Sequence, residues 1–230
     1  MAKYFFLIVV LFSTAAFAAT YSETQSFNGI GNLNGSLIFN QFNGSADNLQ
    51  SICVLLRLQT NGGMLVLDND SPNAIAGTFQ FGAIGFINSK DVILLDSSYL
   101  PCVNQAYAIH SQSFNLSPDN GDGLLNFDPS FPDGLALSGI SAIDFKWGLV
   151  DEAFWSLGGK GFLGTDTFSI NYSVMQWINY GNINGMCYAV SPAAIDGSVT
   201  IFYTYESAPE PSTILFLGFS LLILRISAHH

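Results

Sequence analysis

Alternation of apolar and polar residues at a period of two constrains the fold of this 230-residue chain more than any other feature. The segment "TDTFSINYSVMQW" sets Phe168, Ile170, Tyr172 and Val174 against Thr167, Ser169, Asn171 and Ser173. Successive side chains of a strand point to opposite faces, so the pattern predicts a pleated strand with one dry face and one wet face. "GSVTIFYTYE" repeats it, with Val199, Ile201, Tyr203 and Tyr205 opposed to Ser198, Thr200 and Thr204. In "SICVLLRLQT" the apolar face is Ile52, Val54, Leu56 and Leu58, and Cys53 lies opposite with Ser51, Arg57 and Gln59. By the same rule "ISAIDFKW" turns Ile143, Phe145 and Trp147 inward and Asp144 and Lys146 outward. Further strands are expected at 20–27, 36–42, 63–68, 75–86, 92–96 and 106–116. Within 75–86 the phase slips, because Phe79 and Phe81 share one face while Ile84 and Phe86 take the other. A bulge or bend at Gly82 or Gly85 would accommodate that slip.

Turn signals separate these runs: "NGG" at 61–63, "DNDSPN" at 68–73, "SPDNGDG" at 117–123, "FPDG" at 131–134 and "DG" at 196–197. Gly supplies positive φ, Asn and Asp tolerate it, and Pro presets the turn. No segment between the ends of the chain shows a capped helical period, and "VDEAFWSLGG" (150–159) predicts at most one short helix. Many short one-sided strands joined by such turns predict an all-β fold, an antiparallel β-sandwich.

The two ends differ from this middle. "MAKYFFLIVVLFSTAAFA" has Lys3, an apolar stretch and small residues at Ala16 and Ala18, which is the layout of a secretory signal peptide cleaved after Ala18. Its apolar part is short for a span of roughly 20 residues. At the other end "APEPSTILFLGFSLLILRISAHH" has twelve uncharged residues from Thr213 to Leu224, about 18 Å as a helix. That run is apolar all round, unlike a core helix with one polar face. The expected organisation is therefore a signal peptide over 1–18, a β-sandwich domain over 19–207 and a C-terminal segment over 208–230. A helix flanks the sandwich at each end.

Charge narrows the partners. The domain keeps Arg57, Lys90, Lys146 and Lys160 as its cations against sixteen of the seventeen acids. Binding nucleic acid needs clustered Lys and Arg to neutralise phosphates, so no nucleic-acid partner is expected. The acid excess reads as solubility through self-repulsion. Three cysteines leave an odd thiol in a chain expected to reach an oxidising compartment. Three pairings are possible. Cys102 and Cys187, both in loop-like contexts, are the expected disulfide.

Candidate chemistry is sparse. His110 stands alone in "AYAIHSQSF", without ligand spacing to Cys or a second His, and no Gly-x-Ser-x-Gly elbow accompanies Ser111. No catalytic residue is assigned and no enzyme activity is expected. "PDNGDGLLNFD" (118–128) fails as an EF-hand loop because Pro118 and Pro129 would stand at its first and twelfth positions. A looser Ca²⁺ cage of Asp119, Asn120, Asp122 and Asp128 is the one cofactor considered. Trp177, which shares its strand face with Ser173 and Asn171, and nearby Tyr180 are the candidate platform for stacking on sugar rings.

The C-terminal segment carries a resemblance. Pro209-Glu210-Pro211 followed at once by an apolar run and Arg225 resembles the PEP-CTERM sorting signal of Gram-negative bacteria. That resemblance implies recognition and cleavage near Pro209–Pro211 by an exosortase, a membrane transpeptidase, in organisms that make extracellular polysaccharide. Beyond Arg225 this chain has His229 and His230 where the class has a cluster of Arg or Lys, so retention of the segment as a tail anchor is the other outcome. "TYSETQSF", "SLIFNQFN", "LQSICVLLRL" and "GSVTIFYTYESAPEP" together resemble the choice-of-anchor E domain found upstream of such tails. The expectation is an exported surface or matrix protein of structural or interaction type, handled by signal peptidase and exosortase, with transient or lasting membrane contact through 212–226. A carbohydrate-binding module or glycan-active enzyme and a calcium-stabilised adhesin are the alternatives.

Overall fold

The computed structural model describes residues 17–44, 46–121, 128–138, 141–179, 181 and 185–207. Their strands are β1 (Phe17–Ile30), β2 (Leu33–Asn40), β3 (Leu49–Asn61), β4 (Met64–Asn69), β5 (Ile75–Asn88) and β6 (Gln105–Leu116). After these come β7 (Gly134–Ser138), β8 (Ala142–Val150), β9 (Thr167–Asn179), β10 (Met186–Ser191) and β11 (Ala194–Ser207). The strands pair antiparallel throughout. Phe17 and Ala18, the last two residues of the expected signal peptide, begin β1; the rest of that segment and the expected C-terminal helix lie outside the described residues. Among those residues no helix is long and apolar enough to cross a membrane.

Two four-stranded sheets, β1-β11-β3-β8 and β2-β9-β5-β6, form the layers. β1 lies along β2 and β8 along β6, so the sheets face each other edge above edge. Between them sit the residues that alternation points inward: Ile52, Val54, Leu56 and Leu58 of β3, Phe168, Ile170 and Val174 of β9, and Val199, Ile201 and Tyr203 of β11. Phe27 of β1 stacks on Tyr172 of β9 across the gap, with ring centroids 4.1 Å apart and planes at 7°. An offset stack of this kind joins the layers through ring contact in addition to the area it buries.

The third sheet, β10-β4-β7, continues the first around a corner. Asn61 pairs with Ala194 and, three residues on, Met64 pairs with Ser191, so the β3–β11 ladder resumes as β4–β10 without a register change. The β3–β8 ladder does the same: Thr60 pairs with Ala142, and Met64 with Ser138 of β7. Three adjacent strands thus bend together, as strands do when they switch layers at a sandwich corner. Gly62 and Gly63 both take positive φ at the bend, +71° and +82°, a conformation open to glycine at little steric cost. Leu65 and Leu67 of the folded-over sheet pack with Phe79 and Phe81 of β5 and with Phe114 and Leu116 of β6 in a second apolar cluster.

Several expectations are corrected. β5 pairs with β6 and β9 in constant register, so neither Gly82 nor Gly85 is a bulge. Instead a Cβ on Gly82 would overlap the Ala108 carbonyl, so this glycine permits close approach of β6. Both apolar sets of β5 find cover, since Phe79, Phe81 and Ala83 face the interior and Ile84 on the outer face is also buried. Residues 92–96 form no strand beyond the isolated Leu95–Pro101 bridge. The one short helix expected within 150–159 is present, as a single 3₁₀ turn, Glu152–Phe154, capped by Asp151.

The largest correction is β8, whose faces are reversed. Ile143, Phe145, Trp147 and Leu149 point to solvent. The inward positions belong to Ala142, Asp144, Lys146, Gly148 and Val150, which pair with the core side of β3. The reason is position: β8 is the rim of its sheet, and its inner face meets the neighbouring rim instead of the apolar centre. There Asp144 Oδ2 accepts the Tyr107 N–H of β6 at 2.7 Å and lies 3.6 Å from Lys146 Nζ. A Cβ on Gly148 would overlap the Cys102 carbonyl, so the glycine admits the 101–104 segment beneath the strand.

Candidate functional site

Reversal of β8 exposes an aromatic residue beside open clefts. Trp147 is 68 % exposed, in contrast to Trp155, which is buried and donates its indole N–H to the Val150 carbonyl at 3.1 Å. On one flank of Trp147 a cleft of about 670 Å³ lies between the β8 rim, the start of β6 and the end of β5, lined also by Asn88, Asn104, Gln105, Tyr107 and Lys146. On the other flank a cleft of about 490 Å³ is lined by Gln50, Ser51, Asp96, Asp151 and Glu152. Trp147 and Cys102 belong to both. The two clefts thus adjoin at Trp147, whose indole borders both sides of the groove they make together. Their volumes fall in the range of small-molecule sites, which combine apolar or aromatic walls with a few polar groups.

Polar groups in the groove are mostly uncharged or acidic. Tyr107 is exposed and its hydroxyl donates to Gln105 Oε1. The Asn88 side-chain oxygen accepts from Asn171 Nδ2 at 3.3 Å. Asp96 Oδ1 accepts the N–H groups of Ser98 and Leu100, and Asp151 Oδ1 that of Ala153, so both carboxylates hold local turns. The groove's cation, Lys146, is paired with Asp144.

The sites expected from sequence fall elsewhere. Trp177 does lie on an outward face, as the polar company of Ser173 and Asn171 predicts, but it is half-buried over Gly82 with its indole N–H 3.4 Å from Gln80 Oε1. Tyr180 is outside the described residues, as are Asp122 and the sorting residues Pro209, Glu210, Pro211 and Arg225. Asp119, Asn120 and Asp128 are described, and each is a hydrogen-bonding partner in a loop. Asp119 Oδ1 accepts the Gly121 N–H at 2.9 Å, and Asp128 Oδ1 accepts that of Ser130 at 3.1 Å. Asn120 donates its backbone and side-chain N–H groups to Asp133, at 2.8 and 3.2 Å. Among the described residues no three His, Cys, Asp or Glu side chains are grouped to hold a metal ion.

Behind these acids stand two that the sequence reading passed over. Asp68 and Asp133 are both buried, and Asp68 Oδ2 accepts the Asp128 N–H at 2.8 Å. Together with Asn69, whose Nδ2 donates to the carbonyls of Asn73 and Ser117, they tie the 117–134 region to β4. Buried polar groups of this kind are tolerated because they are hydrogen-bonded.

The expected Cys102–Cys187 disulfide is not formed; all three thiols are free. Cys187 is on β10 in the folded-over sheet, hydrogen-bonded to Asp70, whereas Cys102 lies under β8 with Cys53 as its electrostatic neighbour. Burial pushes the Cys102 thiol up to about 11, and the Asp70 carboxylate beside Cys187 pushes that thiol up to about 11 as well. Burial also raises Cys53. Thiols shifted this way carry little thiolate near neutral pH and are poor nucleophiles. His110, on β6, has Gln112 Oε1 as a ring contact at 3.5 Å.

No protein-family model matches the chain, and no curated protein matches it. Solved structures with some likeness include that of infectious bursal disease virus Gx strain, at 11 % identity and a TM-score of 0.16 over 88 % of this chain and 47 % of that one. The STIV MCP matches at 16 % identity and 0.22, covering 83 % and 49 %. Desmodium yellow mottle tymovirus matches at 7 % identity and 0.19, covering 85 % and 91 %. The chain spans about half the length of the first of these. Likenesses this loose leave the molecule to be read from its own strands and surface.

Proposed function

We propose that the chain is a non-enzymatic, exported β-sandwich of structural or interaction type, sorted by its C-terminal Pro-Glu-Pro segment to the cell surface or surrounding polysaccharide. One observation carries the reading. The domain is closed by its own first and last strands, with Ala19, the first residue after the expected cleavage, pairing with Tyr205, and the sequence is signal-like before that pair and sorting-like after it. Both apolar segments therefore join the domain at the same end of the same sheet. A chain handled in this way is cleaved by signal peptidase on export, held at the inner membrane through 212–226, and then cut by exosortase near Pro209–Pro211 or left anchored. The absence of an enzyme role is supported by how the acids are used. Asp91, Asp96, Asp119, Asp128, Asp133 and Asp151 each accept backbone N–H groups that fix turns or loops.

Intact-mass spectrometry of the exported protein tests the proposal. A chain starting at Ala19 and ending near Pro209 is the expected form of a processed protein, and one starting at Ala19 and ending at His230 is that of an anchored one. A chain that keeps residues 1–18, or that remains in the cytoplasm, overturns the reading.

A further inference from the structure

The groove bordered by Trp147 has a use that neither the tail nor the core explains. We propose that it binds a neutral polysaccharide chain, with sugar rings stacking on the Trp147 indole and their hydroxyls hydrogen-bonding the side chains of Asn88, Asn104 and Tyr107. The proposal does not rest on the sorting reading. It also moves the glycan contact from Trp177 and Tyr180, where the sequence pattern put it, to the rim where β8 meets β5 and β6.

Three features identify the ligand class. First, a pyranose ring has an apolar face of C–H groups and a rim of hydroxyls. It fits a flat aromatic surface bordered by amide and hydroxyl groups better than a purely apolar side chain does. Trp147 supplies the exposed surface, and the 670 Å³ cleft beside it supplies the amides. Large aromatic side chains give such contacts much apolar area together with defined geometry. Second, the groove continues past the indole into the 490 Å³ cleft, so a ligand filling both flanks is extended, a chain and not a single sugar. Third, charge selects against acidic polymers. Lys146 is occupied by Asp144, and the second cleft presents Asp96, Asp151 and Glu152. Uronate or phosphate groups would be held against like charge there.

Trp147 also belongs to a stripe with Ile143, Phe145 and Leu149 along a rim strand, and apolar stripes of that kind can receive a protein partner. A second copy of this chain is the less favoured occupant, because the domain carries a large negative charge of its own.

The test is affinity electrophoresis of the full chain, purified in a detergent without a sugar head group, through native gels containing hydroxyethylcellulose, glucomannan, dextran or alginate. Retardation is expected in at least one neutral gel and not in alginate. Trp147→Ala should weaken that binding by roughly tenfold or more, the loss of one large aromatic contact. Trp177→Ala should leave it unchanged. Because Trp147 is exposed, an unchanged melting temperature will show that its variant is folded. The proposal is overturned if no neutral polymer retards the protein, if Trp147→Ala binds as the parent does, or if alginate retards it most. Self-association abolished by Trp147→Ala, without retardation in any neutral gel, would overturn it in favour of a second copy. None of these outcomes depends on where the C-terminus is cut.

Discussion

Tyr203 shows how closely single residues are fitted here. Its ring is fully buried, stacked against Phe42 at 5.2 Å and Tyr21 at 5.9 Å, and among the described residues its hydroxyl has no hydrogen-bond partner. Burial, with Glu23 and Tyr21 nearby, drives its ionisation far upward, so the ring stays neutral at any ordinary pH. A buried hydroxyl without a partner carries a desolvation penalty that a phenyl ring does not. Tyr203→Phe is therefore expected to leave stability unchanged or raise it by up to about 1 kcal/mol, read from the denaturant midpoint. A loss of more than about 1 kcal/mol would reveal a partner for the hydroxyl. At the same scale, the inward set of β3 was fully legible, since Ile52, Val54, Leu56 and Leu58 are all buried as alternation requires. The buried carboxylates of Asp68 and Asp133 were not legible. Their partners are backbone N–H groups of Asp128 and Asn120, far along the chain or across a loop, and no local pattern announces them.

At the scale of elements, the corner at residues 62–63 decides the shape. "NGG" reads as a turn between strands, and at this turn β3 runs on into β4 with the same neighbours on both sides. Positive φ at two successive positions strongly favours glycine. A Cβ at Gly63 would also come within 2.8 Å of the Phe81 ring and 3.2 Å of the Ala193 Cα. Gly63→Ala should destabilise the protein by about 1–3 kcal/mol, through backbone strain and a crowded ring. Thermal melting checks this, and a variant equal to the parent would show that the corner tolerates a side chain. Reversal of β8 belongs to the same scale. Its sequence alternates as cleanly as that of β9, but alternation names two faces without saying which one meets the core. A central strand resolves the choice by burial; a rim strand, flanked here by the 101–104 segment and Tyr107, does not.

For the whole molecule, the two apolar clusters are joined by shared strands. β5 contributes Ala83 and Ile87 to the main core and Phe79 and Phe81 to the second. The ladders of β3, β8 and β11 cross the corner in register, and opening either part exposes apolar side chains of β5. Unfolding should accordingly be one cooperative transition, with equal calorimetric and van't Hoff enthalpies. Two resolved transitions would show that the folded-over sheet is a separate unit. By itself the sequence determined the all-β class, most strand positions and the composition of the main core. Period-two burial is a local property, and turn chemistry is written in adjacent residues. Only the tertiary structure decided which strands are rims, that 62–63 is a corner, that Cys187 lies apart from Cys102 and that Trp147 faces solvent. Each of these depends on which distant segment lies against a residue, and a strand's own alternation is the same whichever side that segment takes.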